Sequence, residues 1–395
     1  MLLKEILATS ATRIALSIVV GFLIGALFIF FASEGTWALL SGGDILGGLA
    51  SGISAIGEGY AALLRGAVYN TNASDIATGL RPLTETVRFA GPLIAAGLGI
   101  SLGFRVGLFN IGGTGQILFG ILWATIISTR LEMPFGVHVL VAVIAAIMGA
   151  SLYGALVGFL KARTGAHEVI LTIMLNYVAI YLFTWFIRNP NLLQDPTAGG
   201  TPKADAPAVT AQLPVLIPGY QVHAGLFLVI GAIFFYWWLM ERSAIGFRFR
   251  MVGQNPNAAR TAGINVENTY IWAMASSAAL VGVAAAHQGL GIRTGFTYSI
   301  HAGIGFDAIT VALLGGGNAI GIAFAGLLFG AFKAGGPQMQ VIGVSPEVLS
   351  IVQASIVLFI AAPPLIRAMF RLPVVAESPA LDRLKANLFT KGATK

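Results

Sequence analysis

The chain has 395 residues, 56% of them hydrophobic and only 10% charged, and it contains no cysteine. Soluble domains are about one-quarter charged, so this composition excludes an ordinary soluble globular protein, and the missing thiols exclude disulfides and thiolate-held metal. The formal charge of +7 does not mark a nucleic-acid binder, because the basic residues form no stripe with interleaved aromatics.

Apolar runs long enough to cross a bilayer as helices recur along the chain, and ten membrane passages are expected. The first lies near 14–32. It is longer than the apolar region of a signal peptide and lacks a small-x-small cleavage site, so it is read as a retained span. A Gly-rich stretch of moderate hydrophobicity, 33–85, follows as an extracytoplasmic or peripheral segment. The remaining passages fall near 86–103, 114–129, 136–160, 169–187, 223–240, 269–290, 304–316, 318–334 and 346–366. The 304–316 piece is too short to span alone and is expected to form a broken or re-entrant pair with 318–334.

Basic residues orient these passages. Lys4 and Arg13 precede the first; Lys161 and Arg163 follow the fourth; Arg242, Arg248, Arg250 and Arg260 follow the sixth. Arg367, Arg371, Arg383, Lys385, Lys391 and Lys395 fill the tail. All four clusters fall on one side, which the positive-inside rule makes the cytoplasm, with both termini there. The organisation is thus an N-terminal segment 1–85, a membrane domain 86–366 and a basic cytoplasmic tail 367–395. The pairs "GTGQIL" (113–118) with "GIGFDA" (303–308), and "HEVILTIMLNYVAIYLF" (167–183) with "PEVLSIVQASIVLFIAA" (346–362), suggest an inverted repeat of two four-helix units, about 86–187 and 269–366. Such repeats with glycine-broken helices are the usual scaffold of transporters.

"GLFNIGGTGQ" (107–116) raises the question of a phosphate loop. It lacks the Lys-Ser/Thr of a Walker sequence, and Leu118 stands where a dinucleotide fingerprint needs its third glycine. No metal-ligand spacing or catalytic constellation occurs, so an enzyme is not expected and no cofactor is assigned. Polar groups inside apolar spans are costly and informative. The candidates are Asn110, Gln116, His167, Glu168, Asn176, His287, Gln288, Asp307 and Gln353, with Gly112, Gly113, Gly115 and Gly305 allowing the chain to break. Asp307 either lines a polar path or caps a half-helix. Glu168 reads as a cap of the fifth span, Asn176 as an interhelical hydrogen-bonding group, and His287 as a lone, satisfied histidine rather than a proton carrier. In the loop 241–264, Asn255-Pro256 starts a short helix well, ending near Gly263.

"GLFNIGGTGQILFG", "TGAHEVILTIMLNYVA", "MVGQNPNAARTAGI" and "GIGFDAITVALLGG", in this order, resemble the permease subunits of bacterial ABC importers of the branched-chain amino acid and simple-sugar superfamily, most of all those for nucleosides. The resemblance covers about 80–365. It implies a multi-pass protein of the bacterial cytoplasmic membrane that pairs with a second homologous permease. A cytoplasmic ATPase with two cassettes would bind ATP and Mg, and an extracytoplasmic binding protein or lipoprotein would deliver a nucleoside or related sugar. It further implies that 246–264 is the ATPase-coupling helix, carried by Gly253, Asn255, Pro256, Ala259, Arg260 and Gly263. Asn110, Gly112, Gly113, Gly115, Gln116, His167, Glu168, Asn176, Gly305 and Asp307 would then belong to the translocation path and its broken helices. Two positions depart from the family pattern: Thr114 where many relatives are acidic, and His167 where asparagine is common. The alternative is an ion-coupled secondary transporter of small polar solutes.

Overall fold

The computed structural model describes residues 10–371 and is built from α-helices. Lys4 and the tail charges Arg383, Lys385, Lys391 and Lys395 lie outside the described residues, as does most of the segment 367–395. In chain order the helices are α1 (Ser10–Ala32), α2 (Glu34–Ser41), α3 (Ile45–Ala67), α4 (Ile76–Arg105), α5 (Gly113–Arg130), α6 (Val137–Thr164) and α7 (Glu168–Arg188). They continue with α8 (Gly225–Arg242), α9 (Ala244–Gln254), α10 (Pro256–Thr261), α11 (Val266–Leu290), α12 (Ile304–Leu314), α13 (Ala319–Val341), α14 (Pro346–Ala361) and α15 (Pro363–Met369). Among the described residues, seven helices are long and apolar enough to cross a membrane: α1, α4, α6, α7, α8, α11 and α13. The chain is a multi-pass helical membrane protein.

Nine of the ten expected passages each coincide with a helix, the tenth, 346–366, falls on two, α14 and α15, separated at Ala362, and two boundaries change. The stretch 33–85 is mostly helical, containing α2, α3 and the start of α4. The second passage is longer than expected, because Asp75 caps α4 by accepting a hydrogen bond from the Thr78 amide at 2.8 Å, which starts the helix ahead of the polar run Thr84-Glu85. At 11 residues α12 is about 16 Å long, half the hydrocarbon thickness of a bilayer. Gly316 and Gly317 at φ +59° and +75° turn the chain from it into α13.

The described residues divide into two compact units, 10–53 with 347–371 and 54–346. In the first, Val20 and Ile366 form a small core with Leu16, Ile24 and Phe359, and Gly21 lies against the Ile356 side chain. The second holds the main bundle. Its centre is α4 and α11, whose apolar windows are 78% and 67% buried against 28% for α7. Glycines set the contacts around this pair. Gly326 and Gly330 of α13 meet Ile94, Ala90 and the Thr86 carbonyl of α4, while Gly154 and Gly158 of α6 meet Met274, Ala278 and Ile271 of α11. The packing is therefore reciprocal: α13 lies on α4 as α6 lies on α11, and α4 and α11 meet each other where Gly99 touches the Ser277 carbonyl. Small residues let such helices approach closely without a hydrophobic driving force.

Candidate functional site

The bundle is broken where α4 gives way to α5. Gly107 at φ +77° turns the chain, and 108–112 run without helix to a start at Gly113 that has no side-chain cap. A non-helical stretch buried at Leu108 and Asn110 must have its amides and carbonyls satisfied by protein. Helix α7 supplies the partners from one face, at positions separated by four residues. Glu168 accepts from the Phe109 amide at 3.3 Å, and the Thr172 hydroxyl from the Ile111 amide at 3.4 Å. Asn176 accepts from the Gly115 amide at 2.8 Å and donates to the Ile111 carbonyl at 3.0 Å. All three are buried.

From the other side, Asn110 and Gln116 pair amide to amide at 3.2 Å in both directions. Asn110 also accepts from the Gly112 amide at 2.9 Å and donates to Ser277 at 3.0 Å. Ser277 in turn donates to the Gly99 carbonyl at 2.6 Å, so one network joins α4, the break, α5 and α11. Asn110 and Gln116 are fully buried. Their polar atoms staple the break rather than line an open channel.

The second break meets the first. A Cβ on Gly113 would lie 3.0 Å from the Gly305 Cα, and one on Gly305 would lie 2.3 Å from the Thr114 amide. Only glycine permits this approach of two half-helices. Helix α12 starts after Ala302 and Gly303, both left-handed at φ 47° and 73°. Asp307 is not its cap: Gly303 holds that position without a side-chain bond. Instead Asp307 pairs with Lys333 of α13 at 2.7 Å, and Lys333 also donates to the Ala302 carbonyl at 2.9 Å.

Three further readings change. Glu168 is not the cap of α7; that place belongs to His167, whose Nδ1 accepts from the Val169 amide. Its side chain, 65% exposed, takes no part in the break. Glu168 is engaged instead by Lys161 at 2.6 Å. His287 is not a lone, satisfied histidine, because its ring lies 4.4 Å from that of His223 and its Nδ1 has no hydrogen-bond partner. Lys161, Thr172, Ser277 and His223 do not stand out as site residues in the sequence, whereas Lys333, the lone charge in the apolar run 318–334, is a signal that could have found the partner of Asp307. The first three sit among ordinary helix residues, although Thr172 lies one turn from both Glu168 and Asn176, a spacing that could have placed it on the same face.

The loop after α8 approaches the first break directly. It forms two helices rather than one, α9 and α10, with Asn255 capping α10 through the amides of Asn257 and Ala258 at 3.0 and 3.1 Å. Ala259 is buried, Gly263 turns the chain at φ +83°, and Arg260 pairs with Glu267. A Cβ on Gly253 would lie 2.2 Å from the Arg105 carbonyl oxygen, so the end of α9 rests on the turn that enters 108–112. Beside it Arg105 pairs with Glu241 at 2.5 Å, and Tyr236 bonds Ser101 and the Gly317 carbonyl at 2.9 Å each.

Comparison with known proteins agrees with this architecture. The family described as branched-chain amino acid transport system / permease component matches residues 83–361. A guanosine ABC transporter permease protein of Bacillus subtilis is 36% identical over 321 residues, covering 80% of this chain and 88% of the relative. A nucleoside ABC transporter permease protein of Lactococcus lactis is 35% identical, covering 79% and 85%. A glucose ABC transporter permease protein of Haloferax volcanii is 32% identical, covering 70% and 75%. No solved structure matches significantly.

Proposed function

Since the chain belongs to the branched-chain amino acid transport system permease family, we propose that it is a membrane subunit of an ATP-driven importer for nucleosides or a related sugar. The observation that carries the mechanism is the seat of Gly253 on the 105–107 turn. A cytoplasmic ATPase with two cassettes, holding ATP and Mg, pushes on α9 and α10; the motion passes through that seat into the stapled break of α5 and, at Gly113–Gly305, into α12. A second permease completes the membrane unit, and an extracytoplasmic binding protein delivers cargo. The two breaks, α4 with α11, and α6 with α13 are counterparts in an inverted repeat, the arrangement that lets one half rock against the other. Asn110, Gln116 and Asn176 hold the moving element rather than touch cargo.

An ion-coupled transporter would need a buried carboxylate free to bind its ion. Glu168 and Asp307 are each paired with a lysine, at 2.6 and 2.7 Å, which favours the ATP-driven reading. The test is uptake into proteoliposomes holding the full complex, across guanosine, pyrimidine nucleosides, ribose and glucose. Uptake that requires ATP supports the proposal; uptake by this chain driven by an ion gradient without the ATPase overturns it.

A further inference from the structure

At the end of the bundle opposite the α9–α10 loop, α4, the segment just ahead of α8, and the end of α11 with the turn after it line a half-open cavity of about 340 Å³, within the range of small-molecule sites. Its walls include Glu85, Arg88, His223, His287, Gln288 and Arg293. The fold is shaped to hold the two imidazoles. A Cβ on Gly91 of α4 would lie 2.4 Å from the His287 ring, one on Gly225 of α8 2.7 Å from both rings, and one on Gly291 2.2 Å from the His223 ring. Three glycines from three segments thus make room for one histidine pair. His287 is only 3% exposed, and its Nδ1 is left without a hydrogen bond, a cost that cores normally avoid. Nothing in the break or in the coupling loop uses these groups.

We infer that this cavity is an outer recognition subsite for the polyhydroxylated ring of the cargo. The inference rests on the importer reading above. The wall pairs a carboxylate, which accepts from hydroxyls, with guanidinium, amide and imidazole donors. That mixture suits a neutral ligand whose every hydroxyl both donates and accepts. A phosphate is disfavoured, because Glu85 stands on the wall and already engages Arg88 at 2.7 Å. His223 lies just ahead of α8, where burial, and then the charge of Arg88, push its imidazole down to about 4. At neutral pH it is an uncharged hydrogen-bonding ring.

The absence of cysteine permits a direct test. Ile292→Cys and Thr294→Cys each place one thiol on the wall without removing a recognition group, and Val209→Cys places one on an exposed site (81% exposed) outside the cavity. The full complex in nanodiscs is labelled with a maleimide in the presence of D-ribose, guanosine or ribose 5-phosphate, and the rate on this chain is read. The expected result is slowing of about tenfold at the two wall thiols by guanosine, ribose or both, with Val209→Cys unaffected. The two arms then say whether the ring is recognised within a nucleoside or as free sugar. Equal rates with and without ligand, or protection by ribose 5-phosphate alone, would overturn the assignment. As a second measurement, Arg293→Met is expected to raise the KM for uptake with the maximal rate unchanged; a fall in maximal rate at constant KM refutes it. A wild-type complex that imports no member of the panel refutes the importer reading, while the labelling result stands apart from it.

Discussion

The contact between Gly253 and the Arg105–Gly107 turn yields the sharpest perturbation. A Cβ there would sit 2.2 Å from the Arg105 oxygen and 3.0 Å from the carbonyl carbons of Arg105 and Val106. Carbon and oxygen rest at about 3.3 Å or more, so Gly253→Ala forces the end of α9 back by about 1 Å, and Gly253→Val by more. Overpacking of this kind costs about 1–3 kcal/mol. The strain falls on the join between the cytoplasmic loop and the break, so it is expected to appear as lost coupling, about 5–150-fold for that energy. The assay is cargo taken up per ATP hydrolysed by the assembled complex. Basal hydrolysis should persist while cargo-stimulated hydrolysis and uptake fall together. Gly231→Ala on α8, where the added methyl meets nothing within 4 Å, serves as the neutral control. A Gly253→Val complex that transports as many molecules per ATP as the wild type would refute the proposed transmission.

Three other outcomes follow from the geometry. Asn176→Leu strands the Gly115 amide and the Ile111 carbonyl, at about 1–3 kcal/mol for each buried group. The thermal midpoint of the purified protein should fall, and an unchanged midpoint would show that α7 does not hold the break. Asp307→Asn and Lys333→Met each break a pair whose side chains are 26% and 23% exposed. A double-mutant cycle on stability should give a coupling of about 1–2 kcal/mol, between the exposed and buried limits, and strict additivity would deny the pin. For His223, the folded state holds the imidazole at about 4 against 6.5 ordinarily, so between those values the unfolded chain binds more protons and stability must decline as pH falls. The decline approaches about 3 kcal/mol by pH 4 at 1.36 kcal/mol per unit. His223→Gln should flatten that part of the unfolding profile, measured in the presence of the same neighbours His287, Arg88 and Glu85.

The spans are legible in the sequence because hydrocarbon-like composition is a local property of the chain. The broken helices are legible for a related reason: glycine beside asparagine, glutamine and aspartate is conspicuous within apolar sequence. Pairwise partnership is not legible. Glu168 reads as a cap, and Asp307 as either a cap or a path residue, because these are the local explanations of an acid near a helix start, whereas their lysines stand on other helices. His287 reads as solitary because His223 lies in a proline-rich loop far along the chain. Helix α3 is hidden because Glu58, Arg65 and several glycines dilute its apolar residues. The early start of α4 is hidden because Arg81, Pro82 and Glu85 interrupt the helical and apolar signal ahead of residue 86.

The two breaks are held by different physics, and the difference has a mechanical meaning. The break before α5 is satisfied by several directional hydrogen bonds from α7 and α11, at 2.8 to 3.4 Å, groups that lose most of their value if displaced by an ångström. The break before α12 is held by one ion pair and one lysine–carbonyl bond, and Coulomb attraction decays only as the inverse of distance. A push arriving at the 105–107 turn is therefore resisted stiffly at the first break and passed on through the Gly113–Gly305 contact. The second break can yield by lengthening the Asp307–Lys333 pair without losing it. By this reasoning α12, not α5, makes the larger excursion during transport. A spin-label or fluorophore pair spanning α12 and α13 should then report a larger ATP-dependent change than one spanning α5 and α7. The reverse ranking would place the compliant element at the cytoplasmic break and leave Asp307 and Lys333 without a part in the motion.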